Sequence, residues 1–249
     1  MKVLRFALFL AVFALLLATA AWAAPGTGIA GTDHDFSDIG NPATGLCTFC
    51  HTPHRAISTL LLWNHTISVA NYSWDVPATT AGTLFPTFKG DTYKGPTAKC
   101  LSCHDGSVAV GDIAWFNGGK PGAPLDNTKH EWADKHNVGA TDGVLGSMKG
   151  NHPVAMPYPY QNAKNTYNGV TTGNAAELGE WQATPVTPIR IFNDDGAGNI
   201  TAGVVPTKTG LECSSCHDPH NKASEDDFFL RGKLGGIGTA YICLKCHIK

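Results

Sequence analysis

Eight cysteines and four of the histidines fall into four copies of one spacing, two thiols three positions apart and a histidine directly after the second. The copies are Cys47-Thr48-Phe49-Cys50-His51, Cys100-Leu101-Ser102-Cys103-His104, Cys213-Ser214-Ser215-Cys216-His217 and Cys243-Leu244-Lys245-Cys246-His247. The first and third run on through Thr52-Pro53-His54 and Asp218-Pro219-His220. Thiols at this spacing suit thioether bonds to the two vinyl groups of a c-type haem, with the following histidine as proximal ligand to its iron. Zinc and disulfide frameworks also use paired cysteines, but neither requires a histidine after each pair. Histidine is 11 of 249 residues, so four such coincidences by chance have odds on the order of a few in a million. The expected cofactors are four covalently bound haems. Cys47, Cys50, Cys100, Cys103, Cys213, Cys216, Cys243 and Cys246 attach them, and His51, His104, His217 and His247 bind iron from the proximal side.

Seven histidines remain for four distal positions: His34, His54, His65, His130, His136, His152 and His220. A second histidine closes the iron to substrates and leaves an electron carrier, whereas an open iron can reduce a small molecule. Met148 and Met156 are the only methionines after the N-terminal segment, so histidine is the expected distal ligand. His54 and His220 stand three residues after a proximal histidine, each behind a proline, which aims them at a neighbouring haem. His152 is held extended by Pro153. His34 lies between Asp33 and Asp35 in a loop-like run. No replacement of a motif histidine marks an open site, so the chain reads as an electron carrier and not an enzyme.

These groups must be positioned by a chain with little regular structure. Glycine and proline contribute 28 and 15 residues, and only 15% of residues are charged, against about a quarter in ordinary domains. The expected fold class is mostly irregular coil with short helices and a small β-hairpin, ordered around a chain of four stacked haems. Large apolar porphyrins supply the buried surface that offsets backbone entropy of about 1–2 kcal/mol per residue, so the chain is expected to be unfolded without them. The hairpin is predicted to pair Pro188–Phe192 with Ile200–Val205 across Asn193–Asn199. Motif spacings of 53, 113 and 30 residues exclude a repeating fold period, so residues 24–249 read as one tetrahaem domain.

Residues 1–23 have the layout of a removable signal peptide: Lys2 and Arg5, an apolar run from Phe6 to about Ala20, and Ala21-Trp22-Ala23 before the cut. Export agrees with haem attachment, which takes place outside the cytoplasm. Loss of Lys2 and Arg5 leaves 16 basic against 20 acidic residues, a balance that excludes nucleic acid as a partner. Asp194-Asp195-Gly196 lacks the spacing of a calcium loop and reads as a turn.

The run Cys-x-Phe-Cys-His-Thr-Pro-His, Leu-Trp-Asn, Cys-Leu-Ser-Cys-His-Asp-Gly-Ser-Val-Ala, Asn-His-Pro-Val, Cys-Ser-Ser-Cys-His-Asp-Pro-His, Phe-Leu-Arg and Cys-Leu-x-Cys-His resembles the doubled-CxxCH multihaem cytochromes. With four motifs, a signal peptide and an early Gly-Ile-x-x-Thr-x-His-Asp, it is similar within them to the OmcE-like tetrahaem cytochromes. The segment from Phe116 to about Thr187 matches poorly apart from His152. The resemblance implies distal roles for His34, His54, His152 and His220, with His65, His130 and His136 spare. It implies alternating stacked and T-shaped haem pairs. It also implies head-to-tail polymerisation into an extracellular, electron-conducting filament, with His34 or His54 completing a haem of the adjacent subunit. Redox partners at the outer membrane or in the periplasm and acceptors such as metal oxides follow from the same likeness. A monomeric periplasmic shuttle is the alternative, and a multihaem reductase a more distant one.

Overall fold

The computed structural model describes residues 23–37, 45–54, 56, 60–75, 84–108, 112–114, 137–138, 143–173, 178–197 and 199–248. The signal segment, except Ala23, and both His130 and His136 lie outside these residues. Among the described residues the helices are short: α1 Gly45–Thr48, α2 Pro96–His104 and α3 Cys213–Cys216. Pro96 opens α2 at a position where its missing N–H is no loss. After Asp105 the left-handed Gly106, at φ 73°, turns the chain away. No helix among them is long and apolar enough to cross a membrane.

Among the described residues three small antiparallel sheets complete the scaffold. Strands β1 (Asn71–Ser73) and β2 (Thr87–Lys89) pair with Tyr72 opposite Phe88. A four-stranded sheet has the order β3-β8-β6-β7, built from Met156–Pro157, Thr209–Leu211, Phe192–Asp194 and Ile200–Ala202. Between them in sequence, β4 (Thr166–Tyr167) and β5 (Val170–Thr171) form a tight hairpin. Its two-residue turn is Asn168-Gly169, with φ of 50° and 73°, the doubly left-handed turn that matches strand twist. The periodicity reading overlooked this hairpin, although Asn-Gly between Thr-Tyr and Val-Thr is its direct sequence signal.

The hairpin before the third motif lies further along than its apolar pattern implies, with Phe192 opposite Ala202 and Asp194 opposite Ile200. Asp194 Oδ1 accepts from Gly196 N at 2.8 Å, and Asp195 accepts from Ala197 N and Asn199 N at 2.7 and 3.1 Å. These bonds tighten the turn and draw Asn193 and Asp194 into the ladder. Ile189 and Ile191 instead pack on Tyr158, Leu211 and Cys246.

The core is divided into small clusters. Ala70, Tyr72, Trp74, Leu101 and Met148 form one, and Tyr93, Ala98, Ala155, Tyr167, Phe192 and Ile200 another. Backbones approach closely where glycine allows it. A Cβ on Gly210 of β8 would lie 2.3 Å from Tyr167 Cγ and 2.6 Å from the Met156 carbonyl oxygen. Gly210→Ala is therefore expected to cost about 2–3 kcal/mol by overpacking, read as a lower denaturant midpoint with the unfolding slope unchanged.

Candidate functional site

Each motif is one turn of helix. His51 N, His217 N and His247 N donate to the carbonyls of Cys47, Cys213 and Cys243 at 2.9, 3.0 and 2.9 Å, and the second motif lies within α2. Residues at i, i+3 and i+4 share a helix face, so both thiols and the imidazole of a motif project together. None of the eight cysteines is in a disulfide.

Three motifs carry a common backbone clamp. An antiparallel bridge joins His51 to Trp63, His217 to Leu230 and His247 to Trp181. The residue before each bridging partner accepts a hydrogen bond from the residue after the histidine: Thr52 N to Leu62 O at 2.8 Å, Asp218 N to Phe229 O at 2.7 Å, Ile248 N to Glu180 O at 2.8 Å. The residue after each partner donates to the second cysteine's carbonyl: Asn64 N to Cys50 O, Arg231 N to Cys216 O and Gln182 N to Cys246 O, at 3.0, 2.8 and 2.7 Å. Leu62-Trp63-Asn64, Phe229-Leu230-Arg231 and Glu180-Trp181-Gln182 are thus equivalent segments, the last supplied from before its motif in sequence.

In the first and third motifs the clamp also fixes the imidazole. Leu61 and Leu62 have φ of 65° and 52°, and Phe228 and Phe229 have 57° and 58°. Left-handed backbone costs such bulky residues about 1–2 kcal/mol each. The turn aims the Leu61 and Phe228 carbonyls at His51 Nδ1 and His217 Nδ1, at 2.6 and 2.7 Å. His34 Nδ1 lies 3.2 Å from Pro219 O and His152 Nδ1 lies 2.9 Å from Pro153 O. A carbonyl only accepts, so in all four rings Nδ1 carries the proton and Nε2 keeps its lone pair for a metal.

The rings meet in pairs. His34 and His104 have centroids 6.1 Å apart, His51 and His220 6.2 Å, and His152 and His247 6.5 Å. Two metal–imidazole bonds of about 2.0 Å, end to end with the roughly 1.1 Å from each nitrogen to its ring centre, put centroids about 6 Å apart. All three separations fit one metal between two imidazoles. His152 and His247 line a cavity of about 270 Å³ with Phe85, Met156, Leu178 and Trp181. Bulky apolar side chains stand open beside the motifs, among them Leu46, Leu61, Leu62, Phe228 and Ile248, as a large flat apolar ligand requires. The thiols and paired imidazoles fit a haem at the first, second and fourth motifs.

The sites follow one another in space as they do in sequence. The Cys50 thiol is an electrostatic neighbour of Cys103, and Cys100 of Cys213, with which it is in hydrogen-bonding contact; Cys216 neighbours Cys243 and Cys246.

His220 is positioned by the aspartate of its own motif. Asp218 accepts from His220 N, Lys222 N and Ala223 N at 3.3, 2.9 and 2.6 Å and pairs with buried Arg231 at 3.3 Å. Asp105 plays the corresponding part after the second motif, held by Tyr72 OH and Ser107 N. His54 is exposed and makes no ring contact with a described residue, and no second imidazole faces His217 among them. His65 is fully buried; neither ring nitrogen has a hydrogen-bond partner, and burial pushes its pKa down to about 4. It packs between Phe49 and Trp63 and joins no pair.

The sequence pattern gave no sign of Asn221, which holds the N-terminal loop. Its carboxamide oxygen accepts from Gly26 N at 3.1 Å, its amide donates to Ala24 O and Gly28 O at 3.0 Å each, and its carbonyl accepts from Gly28 N at 2.9 Å. This places the segment that carries His34 against Pro219. No family model matches the chain, and no curated protein gives a significant match.

Asn221 has φ 50°, so Asn221→Gly keeps the backbone and removes only the side-chain bonds. A loss of about 2 kcal/mol is expected, with faster proteolytic nicking between residues 24 and 34, followed by mass spectrometry of the fragments.

Proposed function

We propose that the chain is an electron carrier holding four c-type haems closed by paired histidines, assembled head to tail into an extracellular filament. The observation that carries the first part is the set of three imidazole pairs at 6.1–6.5 Å, each joining a motif histidine to a histidine outside that motif. A haem bound at such a pair supplies reversible one-electron exchange at an iron with no vacant position. The chain's own residues attach it through two thiols, fix one imidazole of each pair through Nδ1, and bring successive attachment points together from the first motif to the fourth. The OmcE-like resemblance supports the same reading, with export by the N-terminal segment, redox partners at the cell envelope and extracellular acceptors such as metal oxides.

Assembly rests on the fourth pair. His217 has its Nδ1 bonded and its Nε2 available, and His54 is exposed, yet the two make no ring contact. Among the described residues the exposed His54 and the open side of His217 sit on different parts of one chain, and in this reading His54 serves the third motif of another copy. Such a contact is heterologous and, when its rotation does not close a ring, continues as a filament.

Two variants test the two parts. His152→Ala should leave all four haems attached and convert one of them to high spin; a wholly low-spin spectrum would show that His152 is no ligand. His54→Ala should turn filaments seen by electron microscopy into dispersed particles with one high-spin haem per chain. Intact filaments from that variant, or dispersed wholly low-spin particles from the unaltered chain, would rule out the bridging role of His54.

A further inference from the structure

The second and third motifs meet around a carboxylate that the reading above leaves without a role. Glu212 precedes Cys213 and is fully buried. Its backbone belongs to the third motif: Glu212 N donates to Ser215 Oγ and Ser215 N donates to Glu212 O, both at 2.9 Å. Its side chain belongs to the second. Glu212 Oε2 accepts from Thr97 N at 3.0 Å and from the Thr97 hydroxyl, in the first turn of α2, three residues before Cys100. Oε1 accepts from Tyr93 OH and, at 2.6 Å, from Tyr167 OH. Thr97 Oγ1 in turn accepts from Cys213 N at 3.1 Å.

Four donors converge on this group. An ionised carboxylate has about four acceptor sites and no proton to give, and the arrangement fits that form. The N-terminus of α2 adds a favourable dipole. Burial holds the pKa of Glu212 above the usual carboxylate value, and the bonds from Thr97, Tyr167 and Tyr93 oppose that rise only in part. The neighbouring cation is Lys99, itself 5% exposed, with Nζ donating to Lys94 O at 3.1 Å. The amino group and the carboxylate interact electrostatically.

We infer that Glu212 is a buried anion that lowers the reduction potentials of the second and third haems relative to the first and fourth. The inference rests on the haem reading above. Oxidised iron carries one more positive charge than reduced iron, so a fixed negative charge in a weakly screening interior favours the oxidised state. The charge acts on both sites because it sits where they meet: it is bonded to Thr97 in the helix of the second motif, and Thr97 Oγ1 accepts from Cys213 N of the third at 3.1 Å. Lys99 opposes it.

The test is a redox titration of the four-haem protein, with individual haems resolved by NMR of partly oxidised samples. Glu212→Gln should raise the potentials of two of the four haems and leave two in place. Lys99→Met should lower the same two. Opposite signs from two neighbouring buried side chains distinguish charge from packing, which a merely structural role would not reproduce. Superimposable titrations, shifts of one sign in both variants, or a shift spread evenly over four haems would overturn the inference. Should Glu212→Gln fail to acquire haem, Lys99→Met decides alone. An unaltered chain without haem absorbance would overturn the proposed function and this inference with it; haem present with unmoved potentials would overturn only the inference.

Discussion

One hydrogen bond organises the molecule, from the main-chain N–H of each motif histidine to the carbonyl of the first cysteine four residues earlier. It converts a five-residue stretch of coil into a single helical turn. Because that turn places two thiols and an imidazole on one face, the chemistry needs very little secondary structure around it. Isolated helices of this length are unstable in water, so the turn must be held from outside. The backbone clamp does this in three of the four motifs, and α2 does it in the other.

The clamp explains features that composition leaves obscure. Leu-Leu and Phe-Phe are poor choices for consecutive left-handed residues, yet their turns deliver a carbonyl to the imidazole and leave apolar side chains open beside it. Polar clusters carry much of the remaining load. Glu212 joins two motifs, Asp218 with Arg231 fixes the chain after the third, and Asn221 ties the first described residues to it. Buried polar groups with their partners in place specify a single arrangement where small apolar clusters would permit several.

The motifs and the scarcity of regular elements were legible in sequence, because each depends on local spacing or on glycine and proline content. The histidines that pair with motif histidines were legible only as a surplus. Local sequence put His54 and His220 on equal terms, since both follow a proline three residues after a motif histidine; the difference lies in what faces each ring across the fold. His65 is fully buried and its neighbour Asn64 is fully buried too, which no apolar pattern foretells. Glu212 and Asn221 were invisible for another reason. Their side-chain partners lie 45 to 197 residues away in sequence, and a single polar residue in a loop carries no periodicity to betray such contacts.

The first and third modules raise a question of symmetry. They share sequence, clamp, left-handed turn and Nδ1 lock, so a reciprocal arrangement would let each module's outer histidine serve the other's iron. Such an arrangement is self-complementary and closes on itself. The structure makes only one half of it: His220 of the third module meets His51 of the first at 6.2 Å, while His54 of the first does not meet His217 of the third. The N-terminal segment provides a reason. His34 and Asn221 bind residues 24–36 against Pro219 and the turn beyond it, and His34 stacks on Phe229, 4.7 Å away, in the clamp of the third motif. That segment occupies the flank of the third module while bringing His34 to 6.1 Å from His104 of the second motif. The duplication is therefore used asymmetrically among the described residues: His220 meets His51, while His54 and His217 are both exposed and stand apart.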